Sequence, residues 1–223
     1  MAIIVGILGE SGSGKSSSYR NADPDRSYII NADSKALPFH FRDKFNAERK
    51  NYIVTSDMDY ISDKILPKLA TRLDIKELYI DTVNALMIDK EMSVSFRNRK
   101  MGSEAMNKWM DLAAGVYYLI SELNKLRDDL IVYIFGHTCE DESGFRKLVT
   151  NGRKLEKIKL ESKMPIVLHT HVKCDGKGNN EYFLETKMNN STAKTPIGMF
   201  EEFLIPNDIT IINEKVREYY GTN

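Results

Sequence analysis

The feature that most constrains this sequence is an eight-residue segment that directly follows the apolar run Ile3 to Leu8. It reads Gly9-Glu10-Ser11-Gly12-Ser13-Gly14-Lys15-Ser16 and matches the phosphate-binding pattern G-x-x-x-x-G-K-[ST] at every position. Glycines let the backbone wrap closely, so successive N–H groups form an anion-binding nest at a helix N-terminus, predicted here over Ser16 to Asn21. The segment therefore predicts a strand–loop–helix unit that binds the phosphates of a nucleotide.

The residue types within this loop predict its cofactors. Lys15 has the length and charge to reach the β- and γ-phosphates, and the Ser16 hydroxyl is a ligand for Mg²⁺. ATP and Mg²⁺ are the expected cofactors, with the nucleotide contacted by residues 9–16 and by Ser17. The alternative is a glycine-rich turn that binds nothing, which the match at all positions and the flanking strand and helix disfavour.

Three polar residues follow predicted strands, where open α/β sheets bind their ligands. Asp81 ends the apolar strand that begins at Glu77, and we expect it to hold magnesium beside Ser16. Asp33 follows the strand Ser27–Asn31 and is the predicted catalytic base. His137 follows the strand Leu130–Phe135 and is the predicted sensor of the γ-phosphate. The structural alternatives are a turn-capping Asp81, an Asx turn at Asp33 and a hydrogen-bonded strand-end histidine at His137. With Lys15, these three residues complete the predicted catalytic set.

The remaining pattern alternates strands and helices. A further strand is predicted at Tyr52–Thr55, and apolar positions spaced three and four apart predict a helix over Ala105–Arg127. Two apolar runs, Pro165–Val172 and Glu181–Thr186, flank a polar turn and predict a hairpin. The expected fold is α/β, a P-loop NTPase whose mainly parallel sheet is flanked by helices, with antiparallel edge strands near the C-terminus. Because no repeat, compositional break or linker is evident, residues 1–223 are expected to form a single ATPase domain.

Charge and composition narrow the classes of partner. Lys plus Arg and Asp plus Glu number 32 each, so net charge cannot attract nucleic acid and any DNA contact must come from local basic clusters. Two such clusters follow the fourth and fifth strands, with ordinary solvated loops as the alternative interpretation: Arg97, Arg99 and Lys100, then Arg146, Lys147, Arg153 and Lys154. No apolar run reaches the roughly 18 residues of a membrane helix, and two cysteines do not indicate a disulfide scaffold. A cytoplasmic protein without a membrane partner is expected.

Five segments together resemble one family, and the resemblance extends over nearly the whole chain, since they are spread from Gly9 to Asp208. They read GESGSGKSSSYRN, YIINADSKALPF, LYIDTVNALM, IVYIFGHTCED and TAKTPIGMFEEFLIPND. In this order they resemble phage-encoded P-loop ATPases with a RecA-like core, which are similar to the single-strand-annealing recombinases of RecA-like fold. The K-x-LP segment at Lys35 to Pro38 and the tail from Thr195 to Asp208 are more diagnostic of the family than the loop itself.

The resemblance implies an ATP-hydrolysing protein of phage DNA recombination or replication. Such a protein would act as a ring or filament on single-stranded DNA in the host cytoplasm, alongside other phage replication or recombination proteins. The resemblance also implies nucleotide and magnesium roles for Lys15, Ser16 and Asp81, and His137 matches a histidine that commonly ends the fifth strand. Two departures, Asp33 where RecA carries a glutamate and Thr82 where the family often has a second acid, imply slow or partner-dependent hydrolysis.

Two other classes of function remain open from the residues. A small-molecule P-loop kinase can use the same loop, but it needs an acceptor site and usually an arginine-bearing lid, for which only residues 146–153 are a candidate. A nucleotide-binding regulatory protein with little turnover needs the loop alone.

Overall fold

The computed structural model describes residues 1–99 and 102–222, without the side chains of residues 103–106 and 153. Nine strands form one sheet, in which eight follow the order β3-β2-β4-β5-β1-β7-β8-β9 and β6 pairs with β5. The strands are β1 (Ile3–Gly9), β2 (Ser27–Asn31), β3 (Tyr52–Val54), β4 (Glu77–Asp81), β5 (Ile131–Glu140), β6 (Arg146–Leu148), β7 (Ile166–Cys174), β8 (Asn180–Glu185) and β9 (Leu204–Pro206).

Parallel pairing joins the strands from β3 across to β7, as their buried apolar residues predict. The register sets Gly9 opposite His137, and Asp81 opposite both Asn31 and Phe135. All the carboxyl ends of these strands therefore meet at one edge of the sheet. This edge carries the phosphate-binding loop and the three polar residues selected from the sequence.

Seven α-helices accompany the sheet in the described part of the chain, and apolar side chains pack on both of its faces. Alternate residues of β1 divide between two core clusters, with Ile4 and Leu8 in one and Val5 and Ile7 in the other. The helices are α1 (Met58–Tyr60), α2 (Leu66–Thr71), α3 (Val83–Met92), α4 (Val94–Asn98), α5 (Gly102–Asn124), α6 (Arg153–Ile158) and α7 (Ile209–Tyr220). None of the described helices is both long and apolar enough to span a bilayer.

Antiparallel strands occur near the C-terminus, as the hairpin pattern predicts. β7 and β8 pair from His169 with Glu185 to Cys174 with Asn180, and β9 pairs antiparallel with β8. The fold is thus the predicted mainly parallel α/β sheet with antiparallel edge strands. β5 is longer than predicted because its end, from Thr138 to Glu140, gains a partner in β6.

Two helix boundaries differ from those predicted. The segment after the loop is a four-residue 3₁₀ helix, Ser16–Tyr19, and not a helix to Asn21. Serine side chains compete for backbone groups in such a segment, and here the Ser18 hydroxyl donates to the Lys15 carbonyl at 2.6 Å. Helix α5 ends at Asn124 and not at Arg127. The Arg127 guanidinium donates to three carbonyls outside helix α5, including Leu69 O at 2.8 Å.

Candidate nucleotide-binding site

Lys15 lies inside the phosphate-binding loop. Its ammonium donates to the carbonyls of Gly9 at 2.9 Å and Glu10 at 2.8 Å, and lies 3.4 Å from Nδ1 of His137. Burial lowers the pKa of Lys15 to about 8, against the opposing attraction of Asp81. The loop therefore holds a weakly solvated cation that a phosphate oxygen can contact in place of the two carbonyls.

Close approaches to the rest of the fold shape the loop backbone. Gly12 and Gly14 have φ angles of +78° and +90°, which side-chain-bearing residues rarely adopt. Ser13 is buried, donates to the Glu10 carbonyl at 2.6 Å and accepts from the Thr170 hydroxyl at 2.7 Å. Thr170 lies on β7, the strand next to β1, so β7 holds the loop in place through this hydrogen bond.

Ser16 and Asp81, the two residues predicted to bind magnesium, are in contact. Ser16 Oγ donates to Oδ2 of Asp81 at 2.6 Å, and the Tyr19 hydroxyl donates to the same oxygen at 2.7 Å. Oδ1 of Asp81 is buried and has no hydrogen-bond partner among the described residues. Burial, with a further contribution from Asp81, raises the pKa of Tyr19 well above its usual value, so its hydroxyl remains a donor.

His137 is held at the end of β5 by backbone contacts. Its N–H donates to Asn84 Oδ1 at 2.7 Å, and its carbonyl accepts from the Val149 N–H at 2.8 Å. The same Asn84 side chain donates to the Val149 carbonyl at 2.9 Å. Burial and the neighbouring Lys15 lower the pKa of His137, so the imidazole is neutral at neutral pH. Asn84, which sequence reasoning missed, thus links helix α3 to His137 and to the segment after β6.

Asp33 lies at the same edge but is already engaged by neighbouring groups. Its carboxylate accepts from the Thr82 hydroxyl at 2.9 Å and forms an ion pair with Lys35. Burial raises the pKa of Asp33, but the hydrogen bonds from Lys35 and Thr82 outweigh burial and the net pKa is lowered. Asp33 lines a cavity of about 330 Å³ beside the loop, and His137 lines both this cavity and the cleft over the loop. The role of Asp33 as a catalytic base stays a prediction. Because its pKa is lowered, the Asp33 carboxylate is a weak proton acceptor in this environment.

A cleft of about 640 Å³ lies over the loop and includes residues from the C-terminal part of the chain. Asn207 is 4% exposed and donates from Nδ2 to the Gly14 carbonyl at 2.8 Å. The Tyr182 ring lies so close that a Cβ on Gly14 would come within 2.8 Å of its Cδ1. Arg20 binds the Asn207 carbonyl at 2.7 Å. Of these residues, Asn207 belongs to the IPND segment of the tail, and no local pattern predicts its contact with the loop.

The first basic cluster is only partly available to a ligand. Arg97 is exposed, but it lies on helix α4 and not in a loop. Arg99 forms an ion pair with Asp111. Lys100 lies outside the described residues. The expectation of a basic loop is therefore corrected at Arg97, because Ser93 caps α4 by accepting from the Phe96 N–H at 3.3 Å and starts a helical turn.

Two of the four residues of the second basic cluster are paired within the chain. Arg146 donates to the buried Glu185 carboxylate at 2.7 Å, and Lys147 pairs with Glu156 at 2.9 Å. Both basic residues belong to strand β6 and not to a loop, because β6 pairs with the extended end of β5. Arg153 and Lys154 begin helix α6; Lys154 is exposed, and the Arg153 side chain lies outside the described residues.

The segments that carry the two basic clusters nevertheless contact the same residue of helix α5, Trp109. The Phe96 ring meets the Trp109 ring edge-on with a centroid separation of 5.1 Å. On the second segment, a Cβ at Gly152 would lie 2.8 Å from Cε3 of Trp109. Trp109 therefore joins the two segments, as expected for connections that leave the same edge of the sheet.

The fold and the loop sequence define the class of this chain as a mainly parallel α/β protein with a P-loop sequence pattern after its first strand. Strand β5 lies between the loop strand β1 and the strand that ends in Asp81. No protein-family model and no curated protein sequence matches the chain. Among solved structures, it is similar to the KaiC-like protein of the hyperthermophilic archaeon Pyrococcus horikoshii, with 9% identity and a TM-score of 0.45. The alignment covers 87% of this chain and 82% of that one.

Proposed function

We propose that this chain binds ATP with Mg²⁺ at residues 9–17 and hydrolyses it. The observation that carries the proposal is the contact of Ser16 with Oδ2 of Asp81, beside an ammonium at Lys15 and under an open cleft. These groups supply a hydroxyl, a carboxylate and a cation within one loop–strand junction. The nine strands join one sheet, which supports treating residues 1–223 as one ATPase domain.

The residues present fit magnesium. Oδ1 of Asp81 is a buried carboxylate oxygen to which no described group donates. Such an atom costs folding free energy unless a ligand or a water molecule hydrogen-bonds to it or coordinates it. Ser16 and Asp81 offer the oxygen ligands that Mg²⁺ prefers, with waters and phosphate oxygens as its usual remaining ligands. Bound there, the ion would neutralise charge on the phosphate oxygens.

Three side chains of the protein would perform the remaining steps of phosphate binding and hydrolysis. Lys15, which contacts the Gly9 and Glu10 carbonyls and lies 3.4 Å from Nδ1 of His137, would exchange the two carbonyls for phosphate oxygens. The neutral His137 would then hydrogen-bond the terminal phosphate. Asp33 is the candidate acceptor for a proton from the attacking water. Because its lowered pKa makes it a weak base, slow intrinsic hydrolysis is expected.

The test of this proposal is ATP binding and turnover by the purified wild-type chain. Binding should require the loop, strengthen with Mg²⁺ and be accompanied by slow release of phosphate. Nucleotide binding without any turnover would support a regulatory protein, and phosphate transfer to an added small molecule would support a kinase. The pairing of Arg146 disfavours the kinase interpretation. The Arg146 guanidinium is bound to the buried Glu185 and does not reach over a bound phosphate in this conformation.

We further propose that the ATPase acts on single-stranded DNA as an oligomer, in phage recombination or replication. The phage setting rests on the sequence resemblance alone. A groove of about 370 Å³ between α5 and α6 supports DNA binding, since two lysines, Lys154 and Lys157, line it and none of its lining residues in the described part of the chain is acidic. Tyr117 and Tyr118, 40% and 64% exposed, line the same groove. Lysines next to exposed aromatic rings suit the phosphates and bases of a single strand.

Binding of a labelled single-stranded oligonucleotide, measured by anisotropy with and without ATP, tests the DNA proposal, and a sizing measurement tests assembly. Binding should fall steeply with salt. Y117A should weaken binding more than Y220A, which removes a tyrosine of similar exposure, 38% against 40%, on helix α7. A monomer that binds no DNA at low salt would contradict this part and leave ATP binding intact.

A further inference from the structure

Tyr19 contacts the magnesium carboxylate from the interior of the protein. It follows Ser16 by three residues, at the end of the 3₁₀ helix, and its side chain is completely buried. Its hydroxyl donates to Oδ2 of Asp81 at 2.7 Å. The loop does not need this hydrogen bond for its own closure, because the Tyr19 hydroxyl points into the protein interior towards Asp81 at the end of β4.

The Tyr19 ring cannot easily turn away from this contact. It stacks on Tyr79 with a centroid separation of 5.2 Å and an interplanar angle of 26°. Phe39 meets it edge-on at 5.4 Å, and Phe135 packs against it at 5.2 Å. Because Tyr79 and Phe135 belong to β4 and β5, the ring is fixed relative to the strand that ends in Asp81.

The two oxygens of Asp81 are consequently unequal. Oδ2 accepts from Ser16 and from Tyr19, whereas Oδ1 accepts from no described group. A carboxylate that accepts from a single donor can rotate and exchange its two oxygens. If Ser16 were the single donor, its hydrogen bond to Asp81 would change whenever the Ser16 oxygen ligates a metal. Tyr19 supplies a second donor that does not depend on the metal.

We propose that Tyr19 is a positioning residue for Mg²⁺, which fixes the Asp81 carboxylate so that Oδ1 stays available to the hydrated ion. This inference rests on the proposed ATP·Mg²⁺ site. It gives the loop a second connection to the acid, from the aromatic core, in addition to the Ser16 hydroxyl. Tyr19 acts through Asp81 and touches neither nucleotide nor metal.

A purely structural tyrosine provides the matched control. Tyr133 is also completely buried, stacks on Tyr79 at 5.2 Å and donates from its hydroxyl to Asn213 Oδ1 at 2.6 Å. Y19F and Y133F each delete one buried hydroxyl and one hydrogen bond from the same aromatic cluster. Only Y19F deletes a contact with Asp81.

The experiment measures ATP binding by calorimetry for wild type, Y19F and Y133F, in EDTA and across a Mg²⁺ series, together with the thermal midpoint of each protein. Y19F should raise the Mg²⁺ concentration for half-maximal binding about tenfold or more, as outer-sphere partners of metal ligands do. ATP binding in EDTA should match that of Y133F, and the two variants should lose similar thermal stability.

Three outcomes would overturn the inference: an unchanged Mg²⁺ midpoint in Y19F, an equal shift in Y133F, or a Y19F protein that loses binding in EDTA or fails to fold. Each assigns Tyr19 to the fold alone. Failure of the ATP·Mg²⁺ proposal looks different, since wild type itself would then show no Mg²⁺-dependent binding.

Discussion

Ser16 Oγ lies 2.6 Å from Oδ2 of Asp81, although 65 positions separate the two residues in the chain. Ser16 follows the loop after β1, and Asp81 ends β4. These two strands are not neighbours, because β5 runs between them. The contact forms because the loop extends past the end of β1 and crosses the end of β5 towards Asp81. A hydroxyl and a carboxylate from separate elements thereby meet at the carboxyl edge of the sheet.

Lys15→Ala should weaken ATP binding by at least about tenfold, because it removes a charged donor to the phosphates. Calorimetric titration measures this effect. Lys125→Ala is the control, since it removes an equally charged side chain whose partner, Glu122, is on the surface of α5. Unchanged ATP affinity in Lys15→Ala would contradict the assignment of the loop.

Asp81→Asn should lower ATP turnover about a hundredfold while the thermal midpoint without nucleotide barely moves. The amide keeps one carbonyl oxygen to accept from Ser16 and Tyr19, and it replaces only the unpartnered Oδ1 by NH₂. Phosphate release and thermal unfolding measure the two effects. A large loss of stability with turnover retained would instead indicate that Asp81 serves the fold.

Gly14→Ala should destabilise the protein more than Gly12→Ala. Both positions have positive φ, which costs roughly 1–2 kcal/mol for alanine. Only Gly14 adds a collision, with Asn207 Nδ2 at 2.7 Å and Tyr182 Cδ1 at 2.8 Å, whereas a Cβ on Gly12 meets no atom within 4 Å. Urea unfolding measures the difference. Equal losses would show that the C-terminal residues do not confine the loop.

His169 should make the protein sensitive to mild acid. Burial, reinforced by Arg146, lowers the pKa of His169 to about 4 from 6.5. The unfolded chain binds the proton first as pH falls below 6.5, so folding stability declines between the two pKa values, by about 2 kcal/mol at pH 5. This contribution is fully present only above the unfolded pKa.

Denaturation of wild type and His169→Gln at pH 7.5 and pH 5 measures this effect. The glutamine variant can retain a hydrogen bond to Thr192, which His169 Nε2 contacts at 3.0 Å. Wild type should lose about 2 kcal/mol more than the variant over this range. Parallel losses would place the acid sensitivity in other groups.

Local patterns predicted the elements that local interactions specify. The strands Ser27–Asn31 and Glu77–Asp81 have their predicted bounds, since each is an apolar run that polar turns delimit. The loop between β1 and the 3₁₀ helix also follows from its own glycines. The length of that helix was predicted wrongly. The Ser18 hydroxyl bonds to the Lys15 carbonyl within one turn, and the helix prediction over six residues did not take such a side-chain bond into account.

The sequence by itself determined the phosphate-binding loop, the parallel sheet and the acid at the end of β4, because spacing, periodicity and strand ends are properties of neighbouring residues. Only the tertiary structure decided that Tyr19 would bind Asp81, that Asn207 would bind the loop at Gly14, and that Arg146 would pair with Glu185. These partners are 62, 193 and 39 positions apart. Such contacts depend on the strand order and on the register of the C-terminal hairpin, and a pattern within one segment carries no information about which distant side chain will satisfy a buried polar group.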